Sequence, residues 1–134
     1  MSLDEANTQV PYLLGRLFAV LERLQAEAEG DVHTTLRDRY FGVASRAPAL
    51  IFPTLLQRSV HHTAKLGRPR GDHWTEWIKA RIMGALPAFP LPRALSLEEQ
   101  GLFAIGYYHQ RQRFFEKRKD TDDKNGTEET ESAA

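Results

Sequence analysis

The 134-residue sequence contains no cysteine, which removes disulfides, thiolate nucleophiles and cysteine-based zinc sites together. It also lacks any apolar run near the roughly 18 residues that a membrane span requires. No membrane association is expected. Residues 1–5 read Met-Ser-Leu-Asp-Glu and lack the basic-then-apolar order of a secretion signal, so the expected location is the cytoplasm, with nothing removed before folding. An excess of one charge is missing too: 18 Lys plus Arg face 18 Asp plus Glu, with 41% hydrophobic residues, a composition that fits one domain of ordinary size.

The neutral sum is a cancellation. Residues 1–36 carry a net −4, residues 37–119 a net +9 and residues 120–134 a net −5. A basic block of that size points to an anionic partner, most often nucleic acid. The competing explanation is solvated Arg and Lys on ordinary helix surfaces.

Asn7 or Thr8 is placed to cap a first helix that has Pro11 in its first turn, runs to Glu29 and stops at Gly30. Its apolar face of Val10, Leu13, Leu14, Leu17, Phe18, Val20, Leu21, Leu24 and Ala28 reads as core. Behind that face lie Gly15, Ala19 and Ala26. Either they admit a closely approaching helix, or they are solvent-facing positions of good helix propensity, the simpler reading.

A second helix at about 35–46 buries Leu36, Tyr40, Val43, Ala44 and Ala47. A third at about 49–66 opens around Pro48 and Pro53 and buries Leu55, Leu56, Val60 and Leu66. Asp72 is placed to cap a fourth at about 73–86, which buries Trp74, Trp77, Ile78, Ile82 and Ala85. Pro87, Pro90 and Pro92 then enforce an extended linker packed through Phe89 and Leu91. Ser96 and Glu99 form a capping box that opens a last helix to about Lys119, its broad apolar face carrying Phe103, Ala104, Tyr107, Tyr108, Phe114 and Phe115. No segment alternates as a strand does. The expected fold is all-α, a compact bundle of about five helices forming a single domain over residues 1–119, with a disordered acidic tail at 120–134.

Catalytic and metal chemistry find no support in the pattern. His33, His61, His62, His73 and His109 are the candidates for base or ligand work, yet His61 and His62 are adjacent and point about 100° apart, where one helix presenting two metal ligands needs i, i+4 spacing. No nucleophile, phosphate loop or carboxylate pair accompanies them. The expectation is a protein that is no enzyme and holds neither metal nor cofactor.

The cations fall in rows. Arg39 and Arg46 are seven residues apart around Gly42, and Arg58 and Lys65 repeat the spacing with His62 on the same helix. Arg68 and Arg70 occupy a glycine-flanked loop, and Arg113 and Lys117 end the last helix. These nine residues are the candidate nucleic-acid-binding set, provided their helices are neighbours; such contacts hold phosphates without reading sequence. Arg81 and Arg111 fall within apolar faces and are expected to snorkel from the core or pair with an acid there. Tyr107, Tyr108, Phe114 and Phe115 read as core packing rather than base stacking.

Residues 12–25 (Tyr-Leu-Leu-Gly-Arg-Leu-Phe-Ala-Val-Leu-Glu-Arg-Leu-Gln), 36–41 (Leu-Arg-Asp-Arg-Tyr-Phe), 52–56 (Phe-Pro-Thr-Leu-Leu), 61–66 (His-His-Thr-Ala-Lys-Leu) and 106–115 (Gly-Tyr-Tyr-His-Gln-Arg-Gln-Arg-Phe-Phe) resemble, in order, the C-terminal part of the large subunit of the type I-C CRISPR Cascade. The several hundred preceding residues of such a subunit are missing, so the chain resembles the small subunit of that complex, a separate product of the same gene's 3′ end that starts at an internal methionine. The resemblance implies a helical bundle without nuclease activity. It implies association with the large subunit, the backbone subunits and a second copy along the belly of the complex. There the protein helps hold target DNA opened by the guide RNA, and the cationic rows are expected to supply phosphate contacts to the displaced strand.

Residues 1–36 are expected to meet a basic surface on a neighbouring copy or subunit, and the tail to screen the basic face until DNA displaces it. A pure protein scaffold that never touches DNA is the rival reading. A helix-turn-helix regulator fits poorly, because no short second helix carries a base-reading set of Asn, Gln and Arg.

Overall fold

The computed structural model describes residues 3–30, 35–67, 73–87 and 90–133, with side chains described as far as Glu116. Five helices follow in order: α1 (Val10–Glu29), α2 (Leu36–Arg46), α3 (Pro48–Leu66), α4 (Trp74–Ala85) and α5 (Leu97–Ala133). The fold is all-α, and no strand occurs among the described residues. The expectations for His33, Arg68, Arg70, Asp72, Phe89, Lys117 and the tail at 120–134 lie outside the residues, or the side chains, so described.

Local chemistry sets the helix ends. Pro11 lies in the first turn of α1, where its missing N–H is unpaired in any residue. Neither expected cap serves there: Gln9 is the N-cap, and Asn7 instead accepts a hydrogen bond from the Gln9 N–H at 2.9 Å. Thr35 and Asp38 make a reciprocal capping box on α2, with Thr35 N donating to Asp38 Oδ2 at 3.0 Å and Asp38 N donating to Thr35 Oγ1 at 3.2 Å. The box expected at α5 is present as well, through Ser96 N to Glu99 Oε1 at 2.8 Å and Glu99 N to Ser96 Oγ at 3.1 Å. The linker before α5 is tied across the α2–α3 junction, Ala49 N donating to the Pro92 carbonyl at 3.0 Å and Leu95 N to the Arg46 carbonyl at 2.8 Å. Leu91 and Leu95 are buried beneath it.

The other four helices all pack on α1, most extensively α5. Every residue from Pro11 to Leu21 is buried in consequence. A helix enclosed on all sides needs apolar or small residues all round, and Gly15 and Ala19 supply them on the face expected to meet solvent. Only Ala26 is exposed there. At the crossing of α1 and α5, a Cβ added to Gly15 would stand 2.0 Å from the Phe103 carbonyl oxygen, and one added to Gly106 would stand 2.2 Å from that of Tyr12. The two backbones touch through paired glycines. Phe18 lies at the centre of the core, its ring centroid 5.7–6.4 Å from those of Phe41, Phe52, Phe103 and Tyr107, the edge-to-face and tilted spacing that aromatic quadrupoles favour.

Several apolar residues expected inside are outside. Val60 is 61% exposed, Trp77 55%, Phe115 58% and Tyr108 43%, and Ala85 is exposed too. For Trp77 and Ala85 the reason is geometric: α4 packs chiefly on α1, and a single neighbour buries a narrower stripe than the full apolar arc of a helix. Arg81 and Arg111 sit beside these rings at the surface, their guanidinium carbons 4.8 Å from the Trp77 centroid and 5.9 Å from that of Phe115. Both are therefore exposed cation–π partners, and neither reaches out from the core.

Candidate nucleic-acid interface

The C-terminal end of α1, the first turn of α2 and the second half of α3 enclose an open groove of ≈ 490 Å³ lined by Gln25, Glu29, Arg39, Arg58, His61, His62 and Lys65. Arg58 and Lys65 are two turns apart on α3, about 10.5 Å along the axis. Lys65 stands in the last turn of its helix, where the helix dipole favours a cation. Arg58 is held by α2: its Nη1 donates to the Tyr40 hydroxyl at 2.9 Å, and its guanidinium carbon lies 5.5 Å from the centre of that ring. The same hydrogen bond holds the Tyr40 phenol below its ordinary pKa. Arg39, Arg58 and Lys65 are exposed, so their charges are carried on a surface that a polyanion reaches without opening the fold.

One acid faces these cations from the groove lining. Glu29 Oε1 lies 3.5 Å from His62 Nε2. Burial lowers the His62 pKa, and the Glu29 carboxylate offsets part of that shift. Near neutral pH the imidazole is thus a largely uncharged member of the groove, and Arg39, Arg58 and Lys65 supply its positive charge.

The structure brings together four of the nine residues marked from sequence: Arg39, Arg58, His62 and Lys65. Arg46 does not line this groove, because its Nε turns back along α2 to the Gly42 carbonyl at 3.1 Å. The space left by Gly42 is thereby bordered by the chain's own arginine. Arg113 lies in a different pocket, with Arg16, Trp77 and Arg81, that shares no residue with the groove. Glu29 and Gln25 went unmarked in the sequence, and His61 stood outside the nine. His61 carried a signal, its polar face on α3, whereas the two α1 residues belong to a segment whose net charge is negative.

A family model described as CRISPR-associated protein (Cas_Csd1) matches residues 1–115. The chain belongs to that family. The matched span includes every residue that lines the groove. No curated protein matches the chain.

The acids of α1 in this family member are engaged inside the chain. Glu22 accepts from the Tyr107 hydroxyl at 2.6 Å and from Arg37 N at 3.0 Å, and with burial this carboxylate pushes the Tyr107 phenol pKa up. Glu27 pairs with Arg23 at 3.0 Å and accepts from Thr75 Oγ1 at 3.1 Å. The α1 carboxylates thus tie α2, α4 and α5 to α1 through a backbone N–H and two hydroxyls. No helix among the described residues is long and apolar enough to cross a membrane.

Proposed function

We propose that this Cas_Csd1 protein is a non-catalytic, cytoplasmic subunit of a CRISPR interference complex of type I-C, in the position of the small subunit, and that its α2–α3 groove holds phosphates of the DNA strand displaced by the guide RNA. The convergence of Arg39, Arg58 and Lys65 from two helices on one open groove carries the reading. Exchange of one duplex for another in an R-loop is nearly balanced, so a few sequence-independent phosphate contacts tip it. The large subunit, the backbone subunits and a second copy are the proposed partners, and neither metal nor cofactor enters.

Reversal of Arg58 and Lys65 to Glu tests this in the assembled complex. The expected result is at least about tenfold weaker target binding, with subunit stoichiometry intact. Unchanged binding by the intact complex would refute the groove's role.

A second reading, a protein scaffold, is favoured by an apolar depression of ≈ 440 Å³ between α3 and α4, lined by Val60, Ala64, Ala80 and Met83 among others. Loss of assembly on reversal of Arg58 and Lys65, with no change in free-chain DNA binding, would favour that scaffold.

A further inference from the structure

A second cationic depression lies between α1, α4 and α5, and the groove reading makes no use of it. It is a pocket of ≈ 190 Å³ into which Arg16, Arg81 and Arg113 converge, walled by Trp74 and Trp77, with Glu5 as its one lining acid. Arg16 is 8% exposed, and its Nε donates to Gln110 Oε1 at 2.9 Å. Gln110 is fully buried, and its amide nitrogen has no partner among the described residues. A guanidinium taken from water into a half-enclosed site, beside an unused amide donor, is costly unless an anion completes it. Burial accordingly lowers the Arg16 pKa, with Tyr12 and Glu5 opposing the shift and Arg81 adding to it.

Volume and charge narrow the anion. At roughly 30 Å³ per molecule the space equals about six waters, less than the several hundred Å³ of a drug-sized ligand and enough for a tetrahedral group on its first carbon. The lining sums to +2, three arginines against Glu5. A phosphomonoester carries about −1.5 to −2 near neutral pH and three acceptor oxygens, whereas a backbone diester carries one charge and must pass through rather than end there. Arginine forks suit such oxygens. At the rim Trp77 presents a half-exposed indole, with the Arg81 guanidinium carbon 4.8 Å from its ring centre.

We propose that this pocket binds a terminal phosphate, the phosphomonoester of a nucleotide or of a nucleic-acid strand end, gripped by Arg16, Arg81 and Arg113. The mouth limits its strength: Glu116 lines the adjoining depression and lies 3.9 Å from Arg113 Nη1.

Both tryptophans of the protein, Trp74 and Trp77, line the pocket, so intrinsic fluorescence of the full chain reads it directly. Titration with a 5′-phosphorylated hexadeoxynucleotide, its 5′-hydroxyl counterpart, adenosine monophosphate and a phosphoserine peptide separates the possibilities. The phosphorylated strand is expected to bind about tenfold tighter than the hydroxyl strand, the factor for about one charge-assisted hydrogen bond. Arg81→Gln and Arg113→Gln, at exposed or half-buried side chains, are expected to erase that difference even if Arg16→Gln does not fold. Glu5→Gln is expected to widen it. Arg58→Glu/Lys65→Glu in the groove is expected to leave it unchanged, which keeps this result separate from the groove's. Equal binding of adenosine monophosphate identifies free nucleotide as the source, and binding of the strand alone identifies strand ends. Equal affinity for the two strands, a difference that survives both arginine variants, or preference for the phosphopeptide would overturn the proposal.

Discussion

Where α1 crosses α5 the protein has no room for a single methyl group, and where α2 and α3 meet over the end of α1 it leaves ≈ 490 Å³ open. The seam is specified by missing atoms, Gly15 and Gly106, and it holds the core together. The groove is specified by added charges that stay in water and contribute little to folding. Stability and binding are thus written in separate residues, and substitutions are expected to affect one without the other.

The largest test of that separation is Gly106→Ala. A Cβ at 2.2 Å from the Tyr12 carbonyl oxygen forces two backbones apart, and the expected loss is about 3 kcal/mol or more in denaturant unfolding. Gly15→Ala is expected to behave alike. Wild-type stability in either variant would mean that the crossing is looser than drawn. Gly42→Ala on α2 is the opposite case: a Cβ there meets only the Arg46 guanidinium, at 3.9 Å, and relief of glycine's backbone entropy is expected to add about 0.5–1 kcal/mol. A destabilised Gly42→Ala would erase the contrast between the two faces.

The smallest effect concerns His62. Burial holds its pKa below the ordinary value, near 6.5 for an unperturbed imidazole, so the folded state takes up a proton less readily than the unfolded one. The stability contribution is then complete above about pH 6.5 and declines as pH falls below it. Wild type is expected to lose slightly more thermal stability between about pH 7 and pH 5 than His62→Gln does. Parallel melting curves across that range would show that the imidazole is not held neutral by the fold. Lower pH is also expected to strengthen DNA binding, because a protonated His62 joins the cations.

The five helices were legible because their signals are local. The Ser96–Glu99 box, Pro11, and the apolar spacing of α1 each depend on neighbours within a turn or two, and each appears in the structure as expected. The seam was not legible. Small residues at Gly15 and Ala19 look the same facing water or facing a helix, and only the arrival of Gly106 from the far end of the chain decides between them. Val60 and Trp77 misled for the converse reason, since a helical wheel counts apolar residues and not the neighbours available to cover them. Within the site, Arg58 and Lys65 followed from spacing on one helix. The membership of Arg39, and the exclusion of Arg46 and Arg113, required the packing of α2 on α3 and the turn of Arg46 back to Gly42. Glu29 shows the same limit: it belongs to an acidic segment in sequence and to a basic groove in space.

The central claim is that Arg58 and Lys65 contact phosphates. Its most direct test is the salt dependence of single-stranded DNA binding by wild type and by Arg58→Gln/Lys65→Gln. Each neutralised phosphate contributes about −0.7 to the slope of log affinity against log salt, so the double variant is expected to bind with a slope shallower by about 1.4 at unchanged thermal stability. Identical slopes in the two proteins would contradict the account.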